Sequence, residues 1–174
     1  MFDNEKWAHE LELEPFRIAR APVSNAQYLA YVEEGGAAPR YWRKLDGVWQ
    51  QRRFDRWIRL APDEPVRHVG WDEAQAWCRW AGRRLPSEAE WEFSASSRDF
   101  LWGSVWEWTA STFAPFPGFS ADPYTDYSQP WFGTHQVLKG ASFATPRRLV
   151  RPAFRNFYQP DRGDVFAGFR SCAL

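Results

Sequence analysis

The feature that most constrains this chain is its load of large flat side chains. Twelve tryptophans, fourteen phenylalanines and six tyrosines make up 18% of its residues. Rings of that size must either pack against one another or form a recognition surface. At 174 residues the chain has the length of one ordinary domain, able to bury roughly 70% of its unfolded surface. A composition this apolar excludes a disordered tail, which lacks the burial needed to offset ordering entropy. No apolar run approaches about 18 residues, so no membrane-spanning helix and no membrane partner is expected. The N-terminal stretch Met1-Phe2-Asp3-Asn4-Glu5-Lys6 is polar, with no signal-peptide core, and the expected address is cytoplasmic.

Charge is balanced overall, with 22 basic and 22 acidic residues, which argues against general polyanion or nucleic-acid binding. Its distribution is uneven. Residues 1–34 carry seven acids against three bases, whereas residues 139–170 carry seven bases against Asp161 and Asp164. An arginine-rich end with interleaved aromatics suits carboxylate or phosphate groups through bidentate contacts. The plainer alternative is that those arginines pair with the acidic N-terminal third. The two cysteines, Cys78 and Cys172, are in no CxxC pair and are expected to be buried thiols in one core region. His9, His68 and His135 have no metal-ligand spacing, so a metal site would need all three to converge by folding.

Three short helices carry start signals. Ser24-Asn25-Ala26-Gln27 reads as a capping box opening a helix through Val32, closed by Gly35-Gly36. Asp72-Glu73-Ala74-Gln75 opens a second, with Ala74, Trp77, Cys78 and Ala81 inward and Gly82 at its end. Ser87-Glu88-Ala89-Glu90 opens a third, starting its buried side at Trp91. Trp42 to Leu60 alternates around an Asp46-Gly47 turn and predicts a hairpin. Gln136–Gly140 and Ala167–Arg170 read as short strands. Between them Phe113 to Phe132, with four prolines, reads as a long loop that needs its own aromatic packing. The expected class is α+β, with few short helices, short strands and much irregular loop.

Four segments, in order, carry a family likeness: Arg83-Arg84-Leu85-Pro86-Ser87-Glu88-Ala89-Glu90-Trp91-Glu92, Gly103-Ser104-Val105-Trp106-Glu107-Trp108-Thr109, Val137-Leu138-Lys139-Gly140-Ala141-Ser142-Phe143 and Gly168-Phe169-Arg170. Together they resemble the sulfatase-modifying-factor family, the formylglycine-generating-enzyme type of the C-type-lectin-like fold. Glu107, between two indoles, is expected to face a buried polar partner, with the arginine of the last segment a natural candidate. The protein-modifying branch works through a copper-binding cysteine pair, and Arg147 to Arg155 contains no cysteine. Phe2-Asp3-Asn4-Glu5-Lys6, Ala114-Pro115-Phe116-Pro117-Gly118-Phe119 and Val150 to Tyr158 look instead like the ergothioneine (sulfoxide synthase) and selenoneine synthase branch.

That resemblance implies a non-haem-iron oxidoreductase joining sulfur or selenium to the imidazole of hercynine, a trimethylated histidine. It implies a hercynine-like betaine and a thiol or selenol donor as small-molecule substrates. A trimethylammonium suits aromatic faces with a nearby carboxylate, and Trp106, Phe116, Phe157, Tyr158 and Asp161 are the candidates. Arg151, Arg155 and Arg162 are the candidates for the anionic ends. No catalytic residue is assigned. The family holds Fe(II) on a preceding helical-bundle domain that has no counterpart here, so this chain by itself is expected to carry no cofactor and no metal. The chain also looks short after Gly35-Gly36. Three readings follow: the substrate-binding C-terminal half of such a synthase, needing an iron-binding partner domain; a stand-alone lectin-fold module binding a ligand or protein without catalysis; or a metal-dependent oxidase using His9, His68 and His135.

Overall fold

A computed structural model describes residues 1–174. Helix α1 (Asn25–Glu33), α2 (Trp71–Trp80) and α3 (Glu88–Ser94) all start where the side chains can satisfy their free N–H groups. In α1 the Ser24 hydroxyl accepts from the Gln27 amide at 3.3 Å, and Gln27 Oε1 accepts from the Ser24 amide at 2.9 Å. Ser87 and Glu90 repeat the exchange at α3. α2 begins one residue before the predicted Asp72, because Gly70 is its cap and the Glu73 carboxylate reaches back to the Gly70 amide at 2.7 Å.

The chain's centre is a four-stranded sheet ordered β7-β6-β5-β8: β5 (Trp106–Thr112), β6 (Gln136–Gly140), β7 (Asn156–Tyr158) and β8 (Ala167–Phe169). β5 lies antiparallel to β6 and parallel to β8, and Trp106 to Thr109 are buried on both faces. Two indoles tie the sheet to α2 and the segment before it: Trp108 donates to the Val69 carbonyl at 2.7 Å and Trp71 to the Thr109 carbonyl at 2.8 Å. Gly168 is required on β8, since a Cβ there would sit 2.2 Å from the Val66 carbonyl oxygen.

Glu107 meets the partner its position demands. Arg170 grips it bidentately, at 2.5 and 2.8 Å, and Trp91 donates to the same carboxylate at 2.8 Å. Both charged side chains are 0% exposed. Arg170 also donates to the carbonyls of Ala19, Arg20 and Leu101 and lies over the Phe100 ring. One guanidinium thus ties the N-terminal segment, the turn before β5 and the sheet together.

Two elements differ from the sequence expectation. The predicted hairpin is a three-stranded meander, β1 (Trp42–Leu45), β2 (Val48–Arg53) and β3 (Arg56–Arg59). Its first turn is Asp46-Gly47, both at positive φ as a type I′ turn requires. Its second is Phe54-Asp55, where the aspartate suits a turn but Phe54, at φ 56°, is not a residue that announces positive φ. Between α2 and α3, where the sequence announces no strand, lies β4 (Arg83–Arg84), which pairs with β9 (Cys172–Ala173). The arginine-rich end does not mainly serve the acidic N-terminal third. Of its ion pairs only Arg151–Glu5 reaches that segment, while Lys139 pairs with Glu92 and Arg155 with Glu88.

Cys78 and Cys172 are buried free thiols. Burial pushes the Cys78 thiol up to about 12 and the Cys172 thiol up to about 11, well outside the reactive range. Titration with a thiol reagent is expected to find two free groups in denaturant and neither in the native protein. One rapidly reacting native thiol would contradict the packing described.

Candidate functional site

At the end of the sheet where β5 runs out and β7 ends, the long loop folds back as a layer of rings. Phe113 stacks on Phe157 of β7 with centroids 4.0 Å apart and planes 10° from parallel. Phe132 packs on Phe113, and Phe119 meets Phe132 edge-on. Tyr127 stacks on Phe2 at 4.5 Å and presents its edge to Phe157. The proline-interrupted loop therefore gains its order from ring packing, as its composition requires.

Arg155 is the hub beneath these rings. It is 1% exposed, held between Phe116 at 4.0 Å and Phe113 at 5.0 Å, and bidentate to Glu88 at 2.8 and 3.0 Å. Its remaining donors go to the carbonyls of Asn4 and Ala114. The N-terminal turn Asp3–Glu5 is buried alongside: Ser128 donates to Asp3 at 2.5 Å and accepts from Asn4 at 3.0 Å. Glu5 is ion-paired to Arg151 through one oxygen, while its Oε1 and the Asn4 Oδ1 are buried with no donor. Burial, outweighing Arg151, raises the Glu5 carboxyl above the usual range. Its charge also pushes up the neighbouring Tyr127 hydroxyl, behind the larger effect of burial there.

The residues expected to hold substrate separate into three groups. Phe116 and Phe157 are half-buried in the ring layer, with Arg151 at its edge. Tyr158 and Arg162 form a ladder on the next loop, the guanidinium 5.0 Å over the Tyr158 ring and bidentate to Asp164 at 2.6 and 3.0 Å. Asp161 beside them is exposed. Trp106 is a core residue at the start of β5, packed on Phe154 and at the far end of the strand from these rings, and Arg155 has its donors on protein acceptors, so neither faces a ligand and only Arg155 supports the ring layer directly. Sequence reasoning missed Glu5, Asn4, Phe113 and Tyr127. The Phe2-Asp3-Asn4-Glu5 segment was recognisable as a motif, but nothing local says that it folds under a loop more than a hundred residues away.

The three histidines do not converge. His9 lies edge-on to Phe116, His135 packs between Trp131 and Phe157, and His68 is wedged between Tyr41 and Phe166. No three of the histidine, cysteine, aspartate and glutamate side chains are grouped to hold a metal ion. The donor set therefore does not fit an iron centre, and the oxidase reading built on His9, His68 and His135 is overturned. Burial lowers the pKa of both His68 and His135, with Arg67 adding to the effect at His68 and Arg162 at His135. The unfolded chain thus takes up protons first as pH falls below about 6.5. Their contribution is present above that pH and lost on the way down through the folded values. The melting temperature is expected to fall between pH 7 and 5, with a flatter profile in His68→Asn, whose side chain tolerates the φ of 63° at this position. An unchanged slope in that variant would remove His68 from the account.

A mixed four-stranded sheet with short capped helices, an Arg-Glu strut and a ring-covered loop end defines a lectin-like domain of the formylglycine-generating type. The chain belongs to the family of sulfatase-modifying factor enzyme 1-like domains, matched over residues 1–104 and 98–173. Its relatives include the hercynine oxygenases of Mycolicibacterium thermoresistibile (strain ATCC 19527), 34% identical over 97% of this chain and 53% of that protein, and of Mycobacterium tuberculosis (strain H37Rv), 33% identical over 97% and 55%. The chain spans about half the length of these curated relatives. Among solved structures, PvdO from Pseudomonas aeruginosa shares the fold with a TM-score of 0.65 at 17% identity, over 91% of this chain and 80% of that one. The two matched stretches meet at residues 98–104, between α3 and β5. The first alignment runs over 236 residues against the 174 here, so that relative has extra residues within the aligned region. No helix is long and apolar enough to cross a membrane.

Proposed function

We propose that this chain is the substrate-binding half of a synthase that joins sulfur or selenium to a hercynine-like betaine. The observation that carries the reading is the alignment of hercynine oxygenases with 97% of the chain. The ring layer at the sheet's end gives it a chemical basis. Phe157, Phe116 and Tyr127 offer aromatic faces to a trimethylammonium, and the half-paired Glu5 carboxylate supplies the counter-charge. Arg162 on the neighbouring ladder is the candidate for the betaine carboxylate or a thiol donor's acid group. Iron, which the resemblance to the sulfoxide and selenoneine synthase branch implies, would have to be held outside this set of residues.

Calorimetry with hercynine, histidine as control, tests the reading. Binding in the millimolar range or tighter is expected, with histidine weaker by roughly the 2- to 30-fold that a cation–π contact of about 0.5–2 kcal/mol supplies. Phe157→Ala should weaken hercynine, while Asp63→Ala on the exposed surface should not. Equal affinity for both compounds, or none at 10 mM by the order-of-magnitude reckoning above, would sink the proposal. The alternative is a binding module without chemistry. It predicts retained ligand binding and no product when the chain is supplied with an iron-binding partner domain.

A further inference from the structure

A cavity of about 500 Å³ opens at the end of the central sheet opposite the ring layer. Gly103 and Ser104 precede β5 and Phe143 follows β6, whereas Tyr158 pairs with Gln136 beside Thr112. The seven residues of β5 separate the two ends by about 20 Å. The cavity lies between the meander, the Arg67-His68 segment and the turn entering β5, next to the place where the two family matches meet.

Its walls divide by chemistry. One side is aromatic: Phe54, Phe143 and Phe166 meet edge-to-face, at 6.3 and 4.8 Å, and Phe54 and Phe143 are 68% and 65% exposed. The other is cationic. Arg52, Arg53 and Arg67 line it against a single acid, Asp164, which is already held by Arg162. Neither Arg52 nor Arg53 takes part in an ion pair. Arg67 spends one nitrogen on Glu64, but its Nε is buried with no acceptor. His68, 8% exposed, has an equally unpartnered Nδ1. Two of the four non-glycine residues at positive φ, Phe54 and His68, are lining residues here. Such strain persists only where the surrounding structure enforces it, and it clusters at ligand-binding sites.

We infer that this cavity is a ligand site of its own, taking a carboxylate or phosphate group carried on a flat aromatic body. The ring slots against Phe54, Phe143 and Phe166. The anion accepts from Arg67 Nε and, in the tautomer that carries its proton there, His68 Nδ1, with Arg52 and Arg53 closing over it. The volume falls within the 300–1,000 Å³ range of small-molecule sites.

Titration of the whole chain by NMR and calorimetry uses four probes: phenyl phosphate, phenylacetate, inorganic phosphate and neutral benzyl alcohol. One or both aryl anions should bind one-to-one, at least about fivefold tighter than inorganic phosphate and benzyl alcohol, as expected when about 1 kcal/mol comes from each wall. Which aryl anion binds tighter distinguishes a phosphate from a carboxylate ligand. Phe143→Ser, an exposed change that leaves the core intact, and Arg52→Gln should each weaken binding several-fold, and Arg67→Gln more. Saturating aryl anion should leave the hercynine titration unchanged, so each proposal can fail without the other. Equal binding of the neutral alcohol, inorganic phosphate binding as tightly as the aryl anions, no binding of either aryl anion, unaltered affinity in the variants, or competition with hercynine would overturn the assignment.

Discussion

Arg170→Met is expected to lower the melting temperature by about 10 °C. Removing one partner of a buried ion pair typically costs 3–5 kcal/mol, and in a domain of this size each kcal/mol moves the midpoint by about 2–4 °C. The loss should sit at the high end because the substitution strands more than one group. Glu107, 0% exposed, would keep only the Trp91 indole as a donor. The carbonyls of Ala19, Arg20 and Leu101 would lose the donors that hold the N-terminal segment against the sheet. Adding Glu107→Leu to Arg170→Met should recover part of the loss, since an apolar pair leaves no uncompensated charge. Urea and thermal unfolding of the two single variants and the double variant measure this. A loss below about 1 kcal/mol in Arg170→Met would show that the strut contributes little.

Arg155→Met is the second large effect, about 2–4 kcal/mol by the same reasoning, because the Glu88 side chain retains some solvent. Its signature should be local as well as global. Arg155 joins α3 through Glu88, the N-terminal turn through the Asn4 carbonyl and the long loop through Ala114, and it fills the space between Phe113 and Phe116. Hydrogen exchange should therefore accelerate in residues 1–6 and 113–119 before the rest of the chain, and hercynine affinity should fall with it. Arg155→Lys should rescue only in part, since an ammonium cannot supply the planar fork. Uniform exchange across the chain would mean that Arg155 is one core contact among many rather than the hub of this end.

The same residues show where sequence reading succeeds and where it stops. Two helix starts are legible because a cap is a contract between residues three apart, Ser24 with Gln27 and Ser87 with Glu90, whereas α2 is capped by Gly70 with Glu73 and not at the expected Asp72. The Asp46-Gly47 turn was legible because few residue pairs accept positive φ at both positions. Phe54 was not, because tertiary packing holds it at φ 56° against its own preference. β4 escaped because its two residues become a strand only by pairing with Cys172 and Ala173 at the far end of the chain. At the candidate site, Phe116, Phe157, Tyr158 and Arg162 could be nominated by residue type, but the partner each would meet could not.

The sequence by itself determined the local elements, the family motifs, and the need of a carboxylate between two indoles for a cationic partner. Those follow from torsional preference, capping and the cost of burying an unpaired charge, which act over a few residues or on one group alone. Only the tertiary structure decided which arginine answers Glu107, that Arg155 lies beneath the site and Trp106 in the core away from it, and that Glu5 folds under a loop more than a hundred residues away. It also kept the three histidines apart. Such choices depend on closing long loops around a shared core, where many arginines satisfy the same local chemistry and packing alone selects among them.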